Sequence, residues 1–82
     1  MLQSGNMSDV AYISNALLEL GASVRIRRKA LNLTQSDVAD LVGVKRQTVG
    51  RLENGDPTVA VGTALAIIET LGLGSLPSVP DR

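Results

Sequence analysis

The sequence predicts an all-α fold, a small bundle of four to five helices. Three observations carry that expectation. Apolar residues recur at intervals of three, four and seven, which is the repeat of a helix face. The hydrophobic content is aliphatic, with Tyr12 the only aromatic, so the core must be Leu, Val, Ile and Ala. Gly, Asn and Pro stand between the periodic segments, where helices stop.

Each element can be justified in chain order. Residues 1–7 are polar and Gly-containing, and read as a disordered leader ahead of a domain spanning 8–74. Ser8 is a candidate cap for the first helix. From there Ile13, Leu17, Leu20, Val24 and Leu31 form one apolar face, with Arg28 at the empty turn. Gly21 lies inside this segment, so one bent helix or two short ones are both open. Asn32 can close the helix in a left-handed conformation. Thr34 caps the second helix, about Gln35 to Val42, and Asp37 three residues on completes a near capping box. Gly43 ends it. The third helix runs from about Arg46 to Asn54, and Gly55-Asp56-Pro57 breaks the chain. The fourth, from about Ala60 to Leu71, places Val61, Leu65, Ile68 and Leu71 on one stripe. Gly72 and Gly74 stop it, and residues 75–82, with Pro77 and Pro80, form a tail that cannot be a long helix.

The bulk numbers exclude several functions. Eighty-two residues allow one domain. A chain of this size buries only about 60% of its unfolded surface, so contacts with partners are expected to matter. There is no Cys, hence no disulfide or thiolate metal site, and no His, the commonest general base and metal ligand. Asp37 and Asp40 are three apart on a helix but lack a His partner. No catalytic residue, metal ligand or cofactor is therefore expected, and the chain is not read as an enzyme. The longest uncharged run, Pro57 to Ile68, is far short of the roughly 20 residues of a membrane span. No basic residue precedes Arg25, so a signal-peptide start is missing. The expected location is the bacterial cytoplasm, on the nucleoid when bound to an operator.

Net charge is zero, yet the charges are segregated. Val24 to Gly55 holds Arg25, Arg27, Arg28, Lys29, Lys45, Arg46 and Arg51 against Asp37, Asp40 and Glu53, a segment of +4. The flanks hold Asp9, Glu19, Asp56, Glu69 and Asp81 against Arg82, which is −4. A local basic face matters more to a phosphate backbone than the sum over the chain. Arg25, Arg27 and Lys29 read first as a solvated face and second as phosphate contacts.

The residues from Thr34 to Gly55 give that basic segment a geometry. Ala39 faces the crossing helix, where a larger side chain would hold the two helices apart. Gly43 sits just past a helix end, where φ is positive and a Cβ costs about 1 kcal/mol or more. Val44, Val49 and Leu52 bury one face of the third helix against Val38 and Val42. The opposite face carries Arg46, Gln47, Gly50 and Arg51, and its first turn carries Lys45. This is a helix-turn-helix, whose third helix would enter a DNA major groove by its N-terminal end.

Thr34-Gln35, the Ala39/Gly43 pair and Arg51-Leu52-Glu53-Asn54-Gly55 resemble the phage-repressor class of helix-turn-helix, the Cro/C1 or XRE family, over about Leu20 to Leu73. The resemblance implies a phage-repressor-type bundle that binds double-stranded DNA. It implies base-facing roles for Lys45, Arg46, Gln47 and Arg51. Gln35, Thr48 and Asn54 become phosphate-facing. Ala39, Gly43, Val49 and Leu52 become framework positions, and Arg28–Glu53 matches a family ion pair. The chemistry agrees, since Arg can bridge guanine O6 and N7 and Gln adenine N6 and N7. Lys45 departs from the Ser or Thr usual at that position, which leaves the third helix weakly capped. Gly55-Asp56-Pro57-Thr58-Val59, Gly62-Thr63-Ala64-Leu65 and Leu71-Gly72-Leu73 are most similar to HipB-type antitoxins. That likeness implies a homodimeric repressor of its own operon, a palindromic operator and a HipA-like kinase toxin as partner. The alternatives are a general XRE-type regulator without a toxin, or a protein-interaction module that keeps the fold.

Overall fold

A computed structural model of the chain describes residues 7–73, with side chains from Ile13 onward. Four helices follow one another: α1 (Met7–Ala30), α2 (Gln35–Val42), α3 (Arg46–Glu53) and α4 (Val61–Thr70). No strand occurs among the described residues. The leader before Met7 and the tail at 75–82 lie outside them.

Local chemistry sets most of the boundaries. Asn32 adopts φ 60° and turns the chain out of α1. Thr34 then caps α2 with a complete capping box. The Asp37 amide donates to Thr34 Oγ1 at 2.9 Å, and the Thr34 amide donates to Asp37 Oδ2 at 2.8 Å. Gly43 closes α2 at φ 85°, its N–H and that of Val44 both donating to the Ala39 carbonyl. A Cβ on Gly43 would meet nothing within 4 Å, so the glycine is required by backbone conformation and not by crowding. Lys45 precedes α3 without a side-chain cap, as its residue type implies.

The core is Val24, Val38, Ala39, Val49, Leu52, Ile67 and Leu71, which knits α1 through α4 into one cluster. α2 packs on both α3 and α4, and α1 packs on α3. Ala39 is buried at the α2–α3 crossing, as expected from its size. Arg27 leaves α1 to donate from Nε to the Leu71 carbonyl at 2.9 Å, satisfying an orphan acceptor at the end of α4.

Two expectations need correction, and one alternative is resolved. Ser8 lies inside the first turn of α1 and does not precede it. The apolar face of α1 is only partly covered: Val24 is fully buried, whereas Ile13 and Leu31 remain 59% and 41% exposed. α1 is about 36 Å long and α3 about 12 Å, so the ends of α1 overhang its packing partners. Finally, α1 runs unbroken through Gly21. A Cβ there would lie 2.5 Å from the carbonyl oxygens of both Leu52 and Glu53. The glycine marks the crossing of α1 and α3 within one continuous helix.

Candidate nucleic-acid interface

α3 presents two unlike faces. Val49 and Leu52 are buried, while Lys45, Arg46, Gln47 and Arg51 are exposed. Residues three or four apart share a helix face, so burying Val49 and Leu52 turns Gln47 and Arg51 to the opposite side, with Arg46 on the flank. The helix-turn-helix geometry therefore positions its polar tips through hydrophobic packing on the far side.

A chain of hydrogen bonds connects this face to the interior. Arg28 forms a buried bidentate pair with Glu53, Nε to Oε2 at 2.6 Å and Nη2 to Oε1 at 3.1 Å, and its Nη1 donates to the Leu33 carbonyl at 2.9 Å. Glu53 Oε1 also accepts from Gln35 Nε2 at 3.0 Å. Gln35 Oε1 in turn accepts from Arg46 Nη1 at 2.9 Å. The first residue of α2 thus holds the first residue of α3 through one amide, anchored on a buried carboxylate. No buried side-chain nitrogen or oxygen among the described residues lacks a partner.

Electrostatics follow from these contacts. Burial pushes the Glu53 carboxyl up, but the hydrogen bonds from Arg28 and Gln35, with the charges of Arg28 and Arg25, hold it below its usual value. The hydrogen bond to Glu53 raises the Arg28 guanidinium above its ordinary value despite burial. At pH 7 the pair is ionised and internally neutral. The positive charge of α3 and α1 that faces solvent is then that of Lys45, Arg46, Arg25, Arg27 and Lys29, with Arg51 exposed but paired to Asp56.

The predicted base-facing residues are placed unequally. Lys45, Arg46 and Gln47 cluster at the N-terminal end of α3, all exposed. Arg51 sits a turn further on and is drawn toward the loop after α3. Its Nε lies 3.4 Å from Asp56 Oδ2, and its Nη2 donates to Thr58 Oγ1 at 3.3 Å. Asp56 accepts from the Thr58 hydroxyl and amide at 2.6 and 2.8 Å, which holds its carboxyl below the ordinary range. Of the predicted phosphate-facing residues, Gln35 is half-buried beside Arg46, and Thr48 is half-buried. Asn54 is exposed at the opposite end of α3. The Gln35 amide nevertheless reaches Glu53, the neighbour of Asn54.

Sequence reasoning missed several contributors. Arg27, though exposed, also caps α4 through the Leu71 carbonyl. Gly50 sits beneath the Gln35 amide, with room for a Cβ at 3.5 Å from its oxygen. The Asp56–Thr58 turn that restrains Arg51 was legible in principle, because Asp two residues before Thr is a recognised side-chain turn pattern. Gly21 could have been paired with Arg28, seven residues on and therefore on the same helix face.

A family model described as helix-turn-helix matches residues 24–77. An uncharacterized HTH-type transcriptional regulator of Sinorhizobium fredii is 43% identical over 54 residues, covering 66% of this chain and 71% of that protein. A putative HTH-type transcriptional regulatory protein of Methanothermobacter thermautotrophicus is 36% identical over 67 residues, 76% of this chain but 22% of that much longer protein.

Proposed function

This chain belongs to the helix-turn-helix family, and on that premise we propose that it is a sequence-specific DNA-binding transcriptional repressor, acting as a homodimer on a palindromic operator. One observation carries the reading: Arg46, exposed at the start of α3, is held by Gln35 through a network rooted in the buried Arg28–Glu53 pair. A guanidinium fixed in this way is pre-organised to meet a base edge, since less rotamer freedom is lost on binding. Lys45 and Gln47 extend the donor set on either side. Gln35, at the N-terminus of α2, stands where backbone N–H groups favour a phosphate. The two relatives are named as transcriptional regulators, which supports the same reading.

Two-fold symmetry then requires operator half-sites about 34–36 Å apart, or multiples of that distance. In its narrower form the protein is an autoregulating antitoxin paired with a HipA-type kinase. That form rests on the likeness of the Gly55–Val59, Gly62–Leu65 and Leu71–Leu73 runs to HipB-type sequences.

Footprinting on the protein's own promoter tests the main reading. The expected result is a symmetric protected region, lost in Arg46→Ala while the variant stays folded. A protein that protects no sequence, or an Arg46→Ala variant with wild-type operator affinity, overturns the assignment. Co-purification of a kinase encoded beside the gene tests the antitoxin form, and a neighbourhood with no kinase gene argues against it.

A further inference from the structure

We infer that Arg25 and Lys29 of α1, together with Asn54, form a second phosphate-binding site that grips DNA at the C-terminal end of α3. This rests on the DNA-binding reading and extends it to residues that the helix-turn-helix motif does not include.

The observations are these. Leu18, Ala22, Arg25, Ile26, Lys29 and Asn54 line one open depression beside the end of α3, with Glu53 in its floor. Arg25 and Lys29 are one helical turn apart, hence neighbours on the α1 surface. Both are exposed, and neither has a hydrogen-bond or ion-pair partner among the described residues. Arg27 and Arg28 are committed elsewhere, to the Leu71 carbonyl and to Glu53. The carboxylate of Glu53 is already held by Arg28 and Gln35. Among the described residues the depression therefore carries two cations with no ion-pair or hydrogen-bond partner, beside a single carboxylate already held by Arg28 and Gln35.

Its position gives those charges a use. Gln35, the candidate phosphate contact at the N-terminus of α2, donates to Glu53 in the floor of this depression, so Arg25, Lys29 and Asn54 extend a surface that Gln35 begins. Helix C-termini carry partial negative charge and repel phosphate. Two cations and an Asn amide at that end reverse the local sign. A purely solvated basic face would have no reason to sit in a concavity shared with the end of the recognition helix. A patch for an acidic protein segment would use the same charges with Leu18 and Ile26, and the experiment separates the two.

Binding of a labelled mixed-sequence DNA duplex is measured against salt for the wild type, Arg25→Ala/Lys29→Ala and Arg25→Lys/Lys29→Arg, with helicity checked in each. Releasing counterions from two phosphates contributes about 1.8 to the slope of log affinity against log salt. The alanine variant should therefore have a slope shallower by about that amount. The charge-preserving variant should match the wild type. An alanine variant with the wild-type slope overturns the site while leaving DNA binding intact, and reassigns the face to a protein partner. A charge-preserving variant that loses as much as the alanine one also overturns it. A wild type with no salt-dependent binding sinks both the site and the function it rests on.

Discussion

Replacing Gly21 by Ala should destabilise this protein, although the same change at Gly50 or Gly62 should stabilise it. In a helix interior Ala is favoured over Gly by about 0.5–1 kcal/mol; Gly21 and Gly50 are interior, while Gly62 lies in the first turn of α4, where the preference is smaller. At Gly62 the new methyl meets nothing within 4 Å, and at Gly50 it makes an ordinary contact at 3.5 Å with the Gln35 amide. Tm should rise by about 2–8 °C at Gly50 and by less at Gly62. At Gly21 the methyl would sit 2.5 Å from two backbone oxygens, inside the 3.0 Å that Cβ atoms respect. Neither oxygen belongs to a flexible side chain, so the axes of α1 and α3 must part by roughly 0.5 Å, enough to forfeit about a quarter of each contact's attraction along the seam. Overpacking of this kind costs about 1–3 kcal/mol. Offset by the helix preference of about 0.5–1 kcal/mol, the net loss is about 0–2.5 kcal/mol, a fall in Tm of up to about 20 °C. Thermal and urea unfolding of the three variants measure it. A Gly21→Ala protein as stable as Gly62→Ala would refute the close crossing of α1 and α3, and with it the placement of Glu53 under Arg28.

The buried pair should be the most sensitive point in the fold. Glu53→Ala leaves Arg28 charged and unpaired in the interior, at a cost of about 3–5 kcal/mol, readable by urea denaturation. Because the Glu53 pKa is depressed on folding, its stabilisation is present above the unfolded carboxyl pKa, about 4.3, and is lost as pH falls through the lower folded value. An acid titration should show stability declining below about pH 4 in the wild type, and more gently in Glu53→Gln. Arg27→Ala removes the donor at the end of α4 and should cost about 0.3–1 kcal/mol, with hydrogen exchange rising first at Leu71 to Leu73. Gln35→Ala frees Arg46, so operator binding should weaken while Tm falls by no more than a few degrees; unchanged binding would mean that the clamp on Arg46 has no role in recognition.

Part of this molecule is written locally. Thr34 with Asp37, Asn32 and Gly43 each act on backbone groups within about five residues, so their roles follow from residue type and spacing, and the helices begin and end close to where those residues put them. The α3 pattern is equally local. Burying Val49 and Leu52 turns Gln47 and Arg51 to the opposite side of the helix.

Tertiary structure decided the contacts that join segments far apart in sequence. Arg27 and Arg51 look as available as Arg46, yet one reaches 44 residues on to cap α4 and the other turns toward Asp56 and Thr58. A long flexible cation takes whichever acceptor the fold brings near, and spacing along the chain does not say which that is. Gly21 reads as a weak point in a helix until α3 is laid across it. The ion pair of Arg28 and Glu53 was legible only through family likeness, because its 25-residue separation is set by how α1 meets the end of α3. The sequence alone determined where the helices lie and which face of α3 is polar, for those depend on short-range periodicity. Which polar groups remain free for a ligand is fixed by packing, because each buried or near acceptor claims a donor before any partner arrives.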